Sequence, residues 1–135
     1  MLKVEHIGIA VKNLTDSVPL FEKLFNTSCY KTQTVESEKV NTAFFKKGET
    51  KIELLESAEE NSVISKFIAQ RGEGIHHLAF EVSDMVAEMA RLKAEGFILL
   101  NEQPKRGADN KWVCFLHPKE TNGVLIELCQ EISES

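Results

Sequence analysis

Long apolar runs are missing from this chain. No stretch approaches the roughly 20 residues that a bilayer-spanning helix needs, so no membrane segment is expected. Cysteine is scarce too. Cys29, Cys114 and Cys129 are odd in number and widely spaced, which suits neither a disulfide framework nor a CxxC zinc knuckle and leaves them as small buried hydrophobes. Basic residues are outnumbered, 16 Lys and Arg against 21 Asp and Glu, and the formal net charge of -5 argues against sequence-independent nucleic-acid binding, which needs a basic face for phosphates. No charged-then-apolar leader precedes the first strand-like segment, and a cytoplasmic location is expected. What is present, 135 residues with 42% hydrophobic content, is enough for one compact domain with a sizeable core.

The chain reads as two similar halves. In VEHIGIAV, residues 4–11, Ile7, Ile9 and Val11 alternate with His6, Gly8 and Ala10, the pattern of a strand with one apolar face and one small, polar face. HHLAFEV at 76–82 repeats it, placing His77 71 residues after His6. Helical spacing follows in both halves, through Leu14, Val18 and Phe21 in the first and Met85, Met89 and Leu92 in the second, at the same offset. Asn13 or Thr15 can cap the first helix and Ser83 or Asp84 the second; Pro19 fits near a helix start and Gly96 near a helix end. Further strands are expected at 27–34, 40–47 and 51–56, then at 97–101, 111–116 and 123–129. KIELLE at 51–56 matches LIELCQ at 125–130, which makes Glu53 and Glu127 equivalent. The expected organisation is a single domain, with module 1 over about 1–58, a connecting helix over about 62–70 and module 2 over about 74–131.

A histidine or glutamate inside an apolar strand needs water or a partner, because an unpaired buried charge is costly. Here that happens four times at matched repeat positions. Two imidazoles and two carboxylates suit an octahedral divalent-metal site with positions open to water or substrate, so His6, Glu53, His77 and Glu127 are the candidate ligands, for cobalt, nickel, manganese or zinc. His76 points to the opposite face from His77 and is expected to pack or hydrogen-bond at a strand start; His117, in the turn HPKETNG, is weakly placed as ligand or substrate contact.

EHIGIAVKNL at 5–14, KIELLE at 51–56, GEGIHHLAFEV at 72–82 and FLHPKETNGVLIEL at 115–128 resemble the vicinal oxygen chelate, or glyoxalase-like, superfamily, and within it the methylmalonyl-CoA epimerase family. The resemblance implies an α+β fold of two tandem βαβββ modules whose curved mixed sheet surrounds a metal-containing cavity, and a homodimer. It places His6, His77 and Glu127 at the family's strongest ligand positions. Glu53 stands where epimerases often have glutamine, with direct and water-mediated ligation both open, and a carboxylate there is also similar to bacterial glyoxalase I.

The activity so implied is interconversion of the R and S forms of methylmalonyl-CoA by removal of its α-proton, with the cation stabilising enolate-like charge. Glu127 is the candidate for one acid–base role, its alternative being that of ligand only. For the second base, some family members carry a glutamate in the strand corresponding to Val40, Asn41 and Thr42; this chain has none there, and a one-residue change of register would turn Glu36 or Glu38 away. Lys105, Arg106, Lys111 and Lys119 are candidate contacts for the phosphates of an acyl-CoA. The alternatives are glyoxalase I and a non-catalytic small-molecule-binding member of the superfamily.

Overall fold

The computed structural model describes residues 1–133. The chain divides into two compact units, His6–His76 and a second made of Met1–Glu5 with the residues from His77 onward. The first residues join the second unit through hydrogen bonds: Leu2 N–H donates to the Glu81 carbonyl at 2.8 Å, and the terminal amino group to the Glu88 carboxylate at 3.3 Å.

The first unit runs β1 (Lys3–Ala10, from His6), α1 (Leu14–Phe25), β2 (Lys31–Val35), β3 (Val40–Lys47), β4 (Thr50–Ser57) and α2 (Val63–Arg71). Its strands lie in the order β2-β3-β4-β1; β1 and β4 are parallel and the other pairs antiparallel. Asn13 caps α1 by accepting from the Asp16 N–H at 2.8 Å, and the Glu56 carboxylate takes the Leu14 N–H at 2.7 Å. Asn26, at φ 52°, ends the helix. Pro19 lies in the second turn of α1, slightly deeper than expected, where its missing N–H deprives Thr15 of a helical donor. The apolar stripe of α1, Leu14, Val18, Phe21 and Phe25, packs on Val11, Ala43, Phe45 and Leu54. Full burial of a large apolar side chain, reached there by Phe45 and Leu54, is worth about 1.5–3 kcal/mol. α2, capped by Ser62, packs Ile64, Phe67 and Ile68 on Ala10, Val40 and Leu55, so the helix expected as a connector is part of the first unit's core and covers one end of the face opposite α1.

The second unit contains β5 (Gly74–Glu81, from His77), α3 (Met85–Ala94), β6 (Lys105–Arg106), β7 (Lys111–Leu116) and β8 (Ile126–Glu131). The order β5-β8-β7-β6, with β5 and β8 parallel and the other pairs antiparallel, repeats that of the first unit, so each is a βαβββ arrangement with a mixed four-stranded sheet, an α+β architecture. Asp84 caps α3, whose Met85, Met89 and Leu92 pack on Val82, Cys114, Leu116 and Leu128. Gly96, at φ 99°, follows its end.

The strand expected at 97–101 is reduced to a bridge between Leu99 and Leu116, and the outer strand is the two-residue β6. Asn101 explains this. Its Oδ1 accepts the Phe115 N–H at 3.0 Å and its Nδ2 reaches the Val113 carbonyl at 3.3 Å, so a side chain occupies backbone groups that a strand would have used. The expected 27–34 and 123–129 segments are strands over Lys31–Val35 and Ile126–Glu131; Asn122 and Gly123, both at positive φ, hold the earlier part of the latter in a turn. Cys114 and Cys129 are fully buried and Cys29 is half-buried, all three as thiols; burial pushes the Cys114 thiol up to about 11.

Candidate functional site

In the first unit the parallel register places Glu53 beside Gly8 on one side, and the antiparallel register places it beside Phe44 on the other. His6 is two residues before Gly8 and therefore on the same face. Gly8 has no side chain to intervene, and His6 Nδ1 lies 3.1 Å from Glu53 Oε2, with both residues buried. The second unit repeats the arrangement. Glu127 lies between Ala79 and Phe115, His77 is two residues before Ala79, and His77 Nε2 is 3.4 Å from Glu127 Oε1. Phe115 meets the His77 ring edge-on at 6.0 Å and helps fix its orientation.

Each unit thus presents one buried imidazole–carboxylate pair, and a divalent cation can take both the nitrogen and the oxygen as ligands. The nitrogen and oxygen donors are those borderline divalent metals take, so the residues fit the cation expected from the sequence. His6 and Glu53 are brought together, as are His77 and Glu127.

The four cationic candidates separate. Lys105 pairs in register with Val113, which shares a face with Phe115 and Glu127, and its Nζ sits 5.5 Å from the centre of the Phe115 ring. Arg106 pairs with Trp112, on the other face, and stacks over it at 5.3 Å. Lys111 is 5% exposed, with Nζ 3.4 Å from the Glu131 carboxylate, whereas Lys119 is exposed on a single 3-10 turn. A cation missed by the sequence reading is Lys31, which pairs with Phe44 and lies 4.8 Å over its ring, repeating the Lys105–Phe115 contact from a register position two residues away. The paired phenylalanines flanking Glu53 and Glu127 were also missed, although their 71-residue offset is visible in the sequence.

His76 faces away from this chemistry. It packs edge-on against Phe67 at 5.0 Å, and burial, then the neighbouring Arg71 charge, lower its pKa to about 4, so it is a neutral packing group near pH 7. His117 caps the turn at 118–120, its Nδ1 accepting the Lys119 N–H at 3.0 Å. Glu36 and Glu38 occupy the turn between β2 and β3, outside the strand face that carries Glu53. Glu5, buried at 3% exposure, is an acid that the sequence reading did not select; its alternation with His6 hid it on the apolar face.

The chain belongs to the Glyoxalase/Bleomycin resistance protein/Dioxygenase superfamily, whose family model matches residues 5–115. Its relatives narrow that class. It is 38% identical to the mitochondrial methylmalonyl-CoA epimerase of Dictyostelium discoideum over 93% of this chain and 76% of that protein. It is 37% identical to the ethylmalonyl-CoA/methylmalonyl-CoA epimerase of Cereibacter sphaeroides, over 95% and 97% of the two chains. Among solved structures, a single-residue variant of Streptomyces coelicolor methylmalonyl-CoA epimerase in complex with 2-nitronate-propionyl-CoA superposes with a TM-score of 0.92 at 31% identity, over 98% of this chain and 99% of that one.

Proposed function

We propose that this chain is a divalent-metal-dependent methylmalonyl-CoA epimerase that interconverts the R and S forms of its substrate by moving the α-proton. The observation that carries the reading is the duplicated buried His–Glu pair, His6 with Glu53 and His77 with Glu127, in a chain that aligns over more than nine-tenths of its length with proteins named as epimerases of this substrate. These four residues would hold the ion, and the two units would act as one domain. When bound, the ion supplies positive charge to the acyl oxygens on which negative charge develops.

The chain's own residues would do the rest. Glu127 accepts or returns the α-proton, its carboxylate kept from bulk water by burial and oriented by His77. The flanking Phe44 and Phe115 exclude water from beside the carboxylates. Lys105, on the strand face that carries Glu127, meets an anionic oxygen of the acyl-CoA. The same reading includes a homodimer working in the cytoplasm; no helix among the described residues is long and apolar enough to cross a membrane.

The test is α-proton exchange of (2S)-methylmalonyl-CoA in heavy water, with and without added cobalt, beside the glutathione hemithioacetal of methylglyoxal as the competing substrate. Cobalt-dependent washout with stereochemical inversion is the expected result. Turnover of the hemithioacetal without washout would replace the epimerase by glyoxalase I.

A further inference from the structure

Among the described residues, one buried side-chain polar atom has no hydrogen-bond partner: Oγ1 of Thr42, in a residue 1% exposed. A covered, unpaired hydroxyl is costly, and native proteins keep few of them. Its position gives a reason for keeping it. Thr42 is two residues before Phe44 on β3 and so shares the face that carries Glu53 and His6; its register partners are Leu55 on β4 and Gln33 on β2. Glu53 is its diagonal neighbour, at the roughly 7–8 Å typical of that relation in an antiparallel pair.

The second unit supplies an internal control. The residue two before Phe115 on β7 is Val113, at the same 71-residue offset, buried at 4% exposure and packed with Ala79, Cys129 and Phe115. Valine has the shape of threonine without the hydroxyl, so this strand position needs only a β-branched apolar side chain. The hydroxyl in the first unit is an addition that packing does not require.

We propose that Thr42 is a substrate-positioning residue, whose hydroxyl hydrogen-bonds an oxygen of the acyl group held beside the His6–Glu53 pair. The assignment rests on the acyl-CoA reading of the site given above. An acyl group with oxygens on either side of one carbon spans the interval from the carboxylate pair to the next side chain along β3. Because Thr42 is covered as well as unpaired, its neighbours, Gln33 and Leu55 among them, shift when the acyl group reaches it, and affinity and turnover both register the contact. A threonine hydroxyl does not ionise near neutral pH, so its part is orientation and not proton transfer.

The test compares Thr42→Val, which copies Val113, with Thr42→Ser, which keeps the hydroxyl. Read-outs are thermal midpoint, the Kd for methylmalonyl-CoA measured calorimetrically on metal-loaded protein, and α-proton exchange. Thr42→Val is expected to raise the midpoint while weakening methylmalonyl-CoA binding about 10- to 100-fold, and Thr42→Ser to bind within a few-fold of the unmodified chain. Unchanged affinity and exchange in Thr42→Val overturn the assignment of Thr42 and leave the epimerase reading in place. Hydroxyl-dependent binding in a chain that exchanges no α-proton overturns the reaction and retains the contact. An unmodified chain that does not bind methylmalonyl-CoA overturns both.

Discussion

The two units share one plan and differ at a few positions, and the differences teach more than the plan. Both set a histidine two residues before a small residue, flank a glutamate with that small residue and a phenylalanine, and place a lysine over the phenylalanine ring. The divergence lies alongside. Where the first unit has Val40 and Thr42 on β3, the second has Lys111 and Val113 on β7, and His6 faces its carboxylate through Nδ1 whereas His77 uses Nε2. What is repeated is the donor chemistry; what differs is the pair of side chains next to it on the neighbouring strand, where the first unit carries a hydroxyl and the second an ammonium.

The largest expected break in that symmetry is catalytic. Glu127→Gln should lower α-proton exchange by about 10²–10⁴-fold, the range for loss of an acid–base group, while Glu53→Gln, which retains an oxygen donor, should lower it by roughly tenfold. Equal losses in side-by-side exchange assays would make both carboxylates ligands only. Next come the cores, where the halves should behave alike. Leu54→Ala and Leu128→Ala, each truncating a fully buried side chain, should each cost about 2–5 kcal/mol in urea denaturation. One transition common to both variants would mean that the units unfold together.

A smaller effect separates neighbours on one strand. Lys105→Ala should raise the KM for acyl-CoA several-fold, in the way a charge-assisted contact would, whereas Arg106→Ala, stacked on Trp112 across the sheet, should leave KM unchanged and lower only the thermal midpoint. The smallest effect belongs to the first unit alone. His76 is held neutral, so between pH 6.5 and about 4 the unfolded chain carries a proton that the folded chain does not, and stability falls as pH drops through that window. A His76→Phe variant should lose part of this acid sensitivity in thermal melts from pH 7 to 4, and a melt profile identical to that of the unmodified chain would show that His76 does not contribute.

Much of this was legible in the sequence because period-two alternation and a fixed offset are local signals. They place His6 and His77 on matching strand faces and make Glu53 and Glu127 equivalent. Helix caps at Asn13 and Asp84 followed from short-range chemistry. What escaped were features set by pairing between strands. Lys105 and Arg106 look alike in sequence, and only the register with Val113 and Trp112 sends them to opposite faces. The missing strand at 97–101 depends on Asn101 reaching β7, a contact 14 residues distant from Phe115 that no alternation encodes. Thr42 reads as an ordinary β-branched strand residue, and its lack of a partner is visible only when every neighbour is known.

Asn101 has a consequence for how copies of this protein coexist at high concentration. A strand edge with open N–H and C=O groups is a template for edge-to-edge aggregation. On β7, Asn101 takes the Phe115 N–H and the Val113 carbonyl, Leu100 N–H donates to the Phe115 carbonyl at 2.8 Å, and β6 covers the adjoining residues. An amide side chain, one backbone N–H and a two-residue strand together make this border of the sheet a poor seed for fibres.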